Sequence, residues 1–457
     1  MAQSNDDRSF FGTEPLGRLM ARLALPSIAS QLVTMLYVVI DRIFVGNIPE
    51  YGVDALAALG VVIPVSVVAQ AFGLYIAAGA TPLAGMKLGE GDKEGVHRTI
   101  GNAATLLIIA MIVLVIALIP VTMYALPWFG ASQNTLPYAQ IYLFIWIIGV
   151  PFMLLSNATS MTLLAQGDSS RVLIVNVGTS VLNVLLNALF IFVFGWGVAG
   201  AAIATVIAQA LCGIILLVLL QAKTSPFRIC KGYFGLRAAY VKRILSIGLG
   251  RLLITVSEGV LIIILNAQMQ LYGGDAYVAA LTILETMQMA IFNVTNGFTQ
   301  GTQGVVSYCY GAQLEERTKS AMRYFVLSTT AICFLVTGSC IVFSEAIGRV
   351  FTSDAQTVQL IVDYTPLFLC GLLPMGIQVG FQTLFMTVGK GFRSMMGTFF
   401  RKILLFIPLA IILPPIYGTW GVWIAEPISD FCGIVFVSIL FACSFRTVMR
   451  DMYKEKV

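Results

Sequence analysis

The chain has 457 residues, of which 58% are hydrophobic and 11% charged, with a formal net charge of +5. Soluble domains carry about 25% charged residues, so a soluble enzyme or a nucleic-acid-binding domain is excluded and a membrane-embedded helical protein remains. The length accommodates about twelve spans of 20 to 25 residues with short connections.

The first fifteen residues, "MAQSNDDRSFFGTEP", are polar and do not lead from a basic segment into a short apolar core, so no cleaved signal peptide is expected. Apolar runs then predict helices over 16–46, 54–86, 97–123, 137–165, 171–194, 198–221, 240–271, 276–310, 317–344, 357–388, 393–414 and 418–445. Runs this long must be helical, because backbone groups in lipid have to be satisfied within the segment. The expected fold is an all-α polytopic membrane protein with twelve transmembrane helices.

Span 1 ends in "YVVIDRIFVG", which puts Asp41 and Arg42 inside the run. Insertion scales charge roughly 2.5–3.5 kcal/mol for such a residue at the bilayer centre, so it marks a candidate functional site. The turn "GEGDKEG" (89–95) after span 2 contains glycines, as does "VGKG" (388–391), but neither is a GxxxxGK[ST] phosphate loop. They are read as tight turns, and the energy for any transport would come from an ion gradient or from none. The single histidine, His97, falls in the basic 2–3 connection and is expected to be solvated there, which leaves proton or sodium coupling to carboxylates.

Span 5, "VLIVNVGTSVLNVLLNALFIF", carries Asn176, Asn183 and Asn187 on one helical stripe, as a polar lining or as interhelical packing bonds. Thr205 of span 6 is placed to complete it. Span 7 holds Arg251 and Glu258, and Glu258 is either a functional acid or the neutralising partner of Arg251, seven residues earlier on the same face. Span 8, "LETMQMAIFNVTNGFTQGTQG", is polar along its length, with Glu285 and Gln288 near its start. Met287, Met289 and Phe292 offer an adaptable surface for ligands, with plain packing as the alternative. Glu426 and Asp430 of span 12 are like-charged at i,i+4, so either one stays protonated or, as the preferred reading, both face an outer vestibule. The eight cysteines include no CxxC pair, so neither disulfides nor a metal site is expected.

Of the 27 lysines and arginines, 24 fall at the termini and in alternate connections, including Arg401 and Lys402 beside the 10–11 turn. Only Arg42 and Arg251 are placed inside spans. The positive-inside rule then puts both termini in the cytoplasm. Shifted by 222 residues, the chain partly overlays itself. "VDALAAL" (53–59) falls on "DAYVAAL" (275–281), Gly79 on Gly301 and Gly89 on Gly311; at a shift of 221, "GVAGAAIA" falls on "GTWGVWIA". Two six-helix halves in parallel repeat imply a pseudo-two-fold axis along the membrane normal and a substrate path between them. The expected divisions are an N-lobe over 1–220, a cytoplasmic linker over 221–239 and a C-lobe over 240–457.

"GTEPLGRLMARLALPSIASQLVTMLYVVIDRIFVGNIPE", "VDALAALGVVIPV", "MKLGEGDKE" and "GVAGAAIATVIAQ" resemble the multidrug and toxic compound extrusion (MATE) family, most closely its MepA-type bacterial branch. The resemblance covers about residues 12 to 445. It implies two six-helix bundles and efflux of amphipathic, often cationic, drugs by antiport with H⁺ or Na⁺. It makes Asp41 the cation or proton carboxylate of helix 1 and Glu258 the carboxylate of helix 7, with Asn183, Asn187 and Thr205 completing the cation site. Many relatives carry an acid where Asn187 stands. The expected substrate-contacting residues are Glu258, Glu285, Met287, Gln288, Met289, Phe292 and Asn176.

A proton needs one carboxylate, whereas a sodium ion generally needs several oxygen ligands. Proton coupling is therefore the preferred expectation, with a transient sodium ion at Asp41 as the alternative. No cofactor, resident metal or nucleic acid is expected, nor any enzymatic activity. The expected setting is a monomer among the lipids of a bacterial cytoplasmic membrane. The alternative function is a flippase for lipids or lipid-linked precursors, disfavoured because only two basic residues were placed inside spans.

Overall fold

The computed structural model describes residues 10–453, apart from 47, 49–51, 130–132, 134, 224, 274 and 352–354, and without certain side chains inside the helices, among them that of Glu258. Twelve long helical runs follow one another: α1 Leu16–Gly46, α2 Gly52–Gly89, α3 Lys93–Ala125, α4 Leu136–Ala165, α5 Ser169–Val193 and α6 Gly197–Leu220. Then come α7 Ala238–Gly273, α8 Asp275–Gly311, α9 Glu315–Val342, α10 Ala355–Thr387, α11 Gly391–Tyr417 and α12 Thr419–Asp451. Each lies within a few residues of its predicted run. Among the described residues, ten are long and apolar enough to cross a membrane. The other two, α7 and α8, are 36 and 37 residues long and carry Arg251, Glu258 and Glu285 within the run.

Three features lay beyond hydropathy. α3, α5 and α11 contain π-helical segments, at Val121–Ala125, Ala188–Val193 and Phe399–Phe406. Such segments often occur at functional sites. A short helix, Ser344–Phe351, lies between α9 and α10. His97 sits in the first turns of α3 instead of a solvated loop, with its ring 5.6 Å from that of Tyr233 and its Nδ1 3.6 Å from Cys230 Sγ. The connection after α6 is fastened to α3 there, since the Arg237 N–H donates to Asn102 Oδ1 at 2.7 Å.

Helices α1 and α8 pack together across the two halves of the chain, as do α2 and α7. Near the chain termini a single apolar core joins both halves, through Leu23 of α1, Met86 of α2, Ile244 of α7, Val306 of α8 and Val448 of α12. Away from the termini the apolar residues divide into two cores. One is built on α2 and α4 (Val62, Leu143, Trp146), the other on α8, α10 and α12 (Leu284, Phe368, Trp423). The halves therefore share packing at one end and part at the other.

The repeat glycines sit where the halves meet. A Cβ at Gly79 would overlap the carbonyl of Ile244 on α7, and one at Gly301 would crowd the carbonyl of Leu23 on α1. Small residues let helix backbones approach closely in a membrane, so the two matched positions close the two symmetry-related crossings.

Candidate functional site

Two cavities lie between the halves. The larger, of about 500 Å³, is walled by α1, α2, α4, α5 and α6 on one side and by α7 and α8 on the other. The smaller, of about 100 Å³, is walled chiefly by α7, α8, α10 and α11. Leu74, Met161, Arg251, Asn296 and Gln300 line both, so the two spaces adjoin.

The asparagine stripe of α5 fastens that helix to α1. Asn176 Nδ2 donates to Ser30 Oγ at 2.5 Å, and Asn187 Nδ2 donates to Asp41 Oδ1 at 2.6 Å. Asn187 Nδ2 also lies 3.2 Å from Asn183 Oδ1. The stripe thus does both things open to it. Asn176 and Asn183 line the larger cavity, as does Thr205, while the bonds to Ser30 and Asp41 join helices. Asp41 and the fully buried Asn187 stand behind that wall, next to the lining residues Tyr37 and Arg42.

An ionised carboxylate only accepts hydrogen bonds, so the amide NH₂ of Asn187 suits Asp41 in its charged form. Asn187 Oδ1 and Asn183 Nδ2 are buried without a hydrogen-bond partner. One acceptor, Asn187 Oδ1, and one donor, Asn183 Nδ2, are thus left over beside the carboxylate. The contacts at Asp41 bring together one carboxylate and the amides of Asn187 and Asn183, with Asn183 Oδ1 already accepting from Asn187, while Thr205 lines the adjoining chamber.

The other predicted residues separate. Met289 lines the larger cavity and Phe292 the smaller. Met287, only 3% exposed, packs into the apolar core of the C-terminal half and lines neither cavity. Two residues apart on a helix point about 200° apart, so Met287 and Met289 cannot share a surface. Gln288 and Glu285 belong to a polar cluster behind the wall. Gln288 Nε2 donates to Glu426 Oε1 at 2.7 Å, and Glu285 lies within electrostatic range of Glu426. The side chain of Glu258 lies outside the described residues.

Arg401 and Lys402 require a correction. They do not flank a turn; both are buried in α11, within its π-helical segment, and both line the smaller cavity. Arg401 Nη1 meets Asp430 Oδ1 at 2.7 Å, and Lys402 Nζ lies 3.9 Å from Glu426 Oε1. Glu426 and Asp430, 3% and 1% exposed, are therefore not open vestibule acids but partners of buried bases. The i→i+5 register of a π-helix narrows the angle between neighbours, which helps two consecutive basic residues turn to one side. Their separation from these acids along the chain, 29 residues in the case of Arg401 and Asp430, leaves the pairing without a local signal in the sequence.

A sequence model of the MatE family matches residues 26–189 and 248–412, one segment in each half. The chain belongs to the MatE family, whose members are membrane transporters and not enzymes. It is 22% identical to the multidrug export protein MepA of Staphylococcus haemolyticus, over 94% of each chain. It is also 22% identical to a protein of Shewanella oneidensis named as an FAD transporter, over 93% of this chain and 94% of that one. Among solved structures, it resembles a multidrug resistance MATE family transporter in an outward-facing conformation, with a TM-score of 0.90, 23% identity and coverage of 98% and 99% of the two chains. The family and the twelve-helix, two-bundle fold expected from the sequence both hold.

Proposed function

We propose that the protein is a secondary active multidrug exporter that couples efflux of amphipathic compounds to binding of a proton, or of a sodium ion, at Asp41. The single observation that carries this reading is the Asp41–Asn187 bond behind the wall of a polar chamber between two helical halves. The kinship with multidrug export proteins supports the direction of transport. Both termini in the cytoplasm fit the basic-residue pattern, and the proposed setting is a monomer in a bacterial cytoplasmic membrane.

The coupling follows from the bond. A charge-assisted hydrogen bond contributes about 1.5–3 kcal/mol. When Asp41 takes up a proton it loses its charge and the bond weakens. α5 is then held to α1 less firmly, and α1 is one of the helices packed across the halves. A cation can shift the two-state equilibrium only by its differential affinity for the two states, and this bond is a place where that difference is created. With the termini inside, the shared core seals the cytoplasmic end and the chamber faces outward, ready to release substrate and to load the coupling ion.

Glu258 is the position at which a cationic substrate would be met. The count of two intramembrane bases that disfavours the flippase alternative does not hold, because Arg401 and Lys402 are also inside. Efflux remains the better supported reading, since the chamber is bounded by both halves and lies next to the Asp41 site. The test is dye efflux from proteoliposomes with pH and sodium gradients imposed separately. Efflux driven by either gradient is expected, with the pH gradient the stronger; equal dye leakage with and without both gradients would refute the reading.

A further inference from the structure

Among the described residues that line the two cavities, the charged ones are Arg42, Arg251, Arg401 and Lys402, and none is a carboxylate. The described acids nearby line neither cavity: Asp41 accepts from Asn187, Asp430 pairs with Arg401, and Glu426 accepts from Gln288 with Lys402 Nζ 3.9 Å away, while Glu285 Oε1, Glu426 Oε2 and Asp430 Oδ2 are buried without a hydrogen-bond partner. Three of the four bases, Arg251, Arg401 and Lys402, meet at the smaller cavity. Arg401 is fixed there by bonds from Nη1 to Asp430 Oδ1 at 2.7 Å and to Met375 Sδ at 3.4 Å, while its Nε is buried without a partner. A second buried donor at the same cavity, Gln303 Nε2, also has no partner. Among the described residues that line the smaller cavity, Gln378 Oε1 is the one acceptor in the same condition.

Unpaired buried donors are costly, and guanidinium and ammonium groups at a cavity wall favour an acceptor that carries charge. We propose that the smaller cavity is a subsite for an anionic group, a carboxylate, sulfonate or phosphate, belonging to an amphipathic substrate whose apolar body occupies the larger cavity. Its volume of about 100 Å³ has room for such a head group. The five residues common to both cavities form the passage between head and body. Gln378 Oε1 would accept from a hydroxyl or protonated group beside the anion. The proposal deepens the export reading and depends on it only for the direction of movement.

The probe is a matched pair of dyes: a xanthene bearing a free carboxylate and its methyl ester, which differ in that one charge. Binding to the detergent-solubilised protein is measured by fluorescence anisotropy, and transport is measured separately in proteoliposomes. Arg401→Gln alone would strand a buried Asp430, so the informative variant combines Arg401→Gln with Asp430→Asn; Gln303→Met is the second. The Kd of the acid dye should rise roughly tenfold in the double variant and about threefold in Gln303→Met, with the ester unchanged, as expected for lost charged and neutral hydrogen bonds. Equal changes for acid and ester, or no change for the acid, would overturn the proposal. Transport of the ester without selective binding of the acid removes the subsite and leaves export standing. Selective binding of the acid without transport of either dye does the reverse. Phosphatidylglycerol is added as a competitor: displacement of the acid dye assigns the subsite to a lipid phosphate, and its absence assigns it to a soluble amphiphile.

Discussion

Asn187 Nδ2 donates to Asp41 Oδ1 at 2.6 Å, and eleven residues earlier on the same two helices Asn176 donates to Ser30 Oγ at 2.5 Å. The two bonds hold α1 and α5 side by side in one register. One of them ends on a carboxylate whose charge can be switched, and the other does not. The helix pair is thus anchored at Ser30 and adjustable at Asp41.

Asp41→Asn keeps the shape of the side chain and removes its charge. Gradient-driven efflux in proteoliposomes is expected to fall to the level of protein-free vesicles. Expression and elution from size-exclusion chromatography should be unchanged, because the Asn187 bond can be replaced by an amide–amide bond. Uphill transport by well-expressed Asp41→Asn protein would refute the coupling role.

Asn187→Asp restores an acid next to Asp41. Two carboxylates in one partly buried site repel unless a cation lies between them. Sodium-dependent transport at fixed pH should therefore increase over the unmodified protein, roughly in line with the tenfold that 1.4 kcal/mol represents. Strong sodium stimulation of the unmodified protein would show that the neutral ligands suffice, and the preference for protons would be wrong.

Removing one partner of the buried Arg401–Asp430 pair should be costly. Arg401→Met or Asp430→Asn alone is expected to destabilise by about 3–5 kcal/mol, the usual cost of an uncompensated buried charge. The double substitution should recover most of that loss. Thermal unfolding of the four proteins in detergent gives the cycle, and strictly additive effects would mean that the pair is not energetically coupled.

Gly79 and Gly301 should control closure at the end that carries the termini. A larger side chain at either position pushes on a carbonyl of the opposite half. Cys309, fully buried in the shared core, reports whether that end has opened. In a background with Cys309 as the only cysteine, Gly79→Val and Gly301→Val are expected to raise its maleimide labelling rate at least about tenfold, a population shift of roughly 1.4 kcal/mol. An unchanged rate in folded protein would show that the glycines do not hold the closed end.

The sequence was sufficient for the spans because the bilayer acts on each segment separately. A helix in lipid must satisfy its own backbone, and hydropathy reports where that happens. The asparagine stripe was legible for a similar reason, since a helical period is a local property. The glycine matches were visible as repeats, although their purpose was not. Their meaning lies in the carbonyl of Ile244 opposite Gly79, which a comparison of one half with the other cannot reveal.

Other features depended on the assembled fold. A count of charges along the chain treats Arg401 and Lys402, near the start of a span, as flanking residues. Only the approach of α12 brings Asp430 and Glu426 to them and makes burial tolerable. Likewise, composition could not choose between Met287 and Met289; the rotation of α8 put one in a core and the other on a cavity. The sequence by itself determined that the chain crosses the membrane as helices in two related halves, because the cost of exposing backbone to lipid is paid segment by segment. The tertiary structure alone decided which charges face the chamber and which stand behind it, because a buried charge takes its setting from partners on other helices.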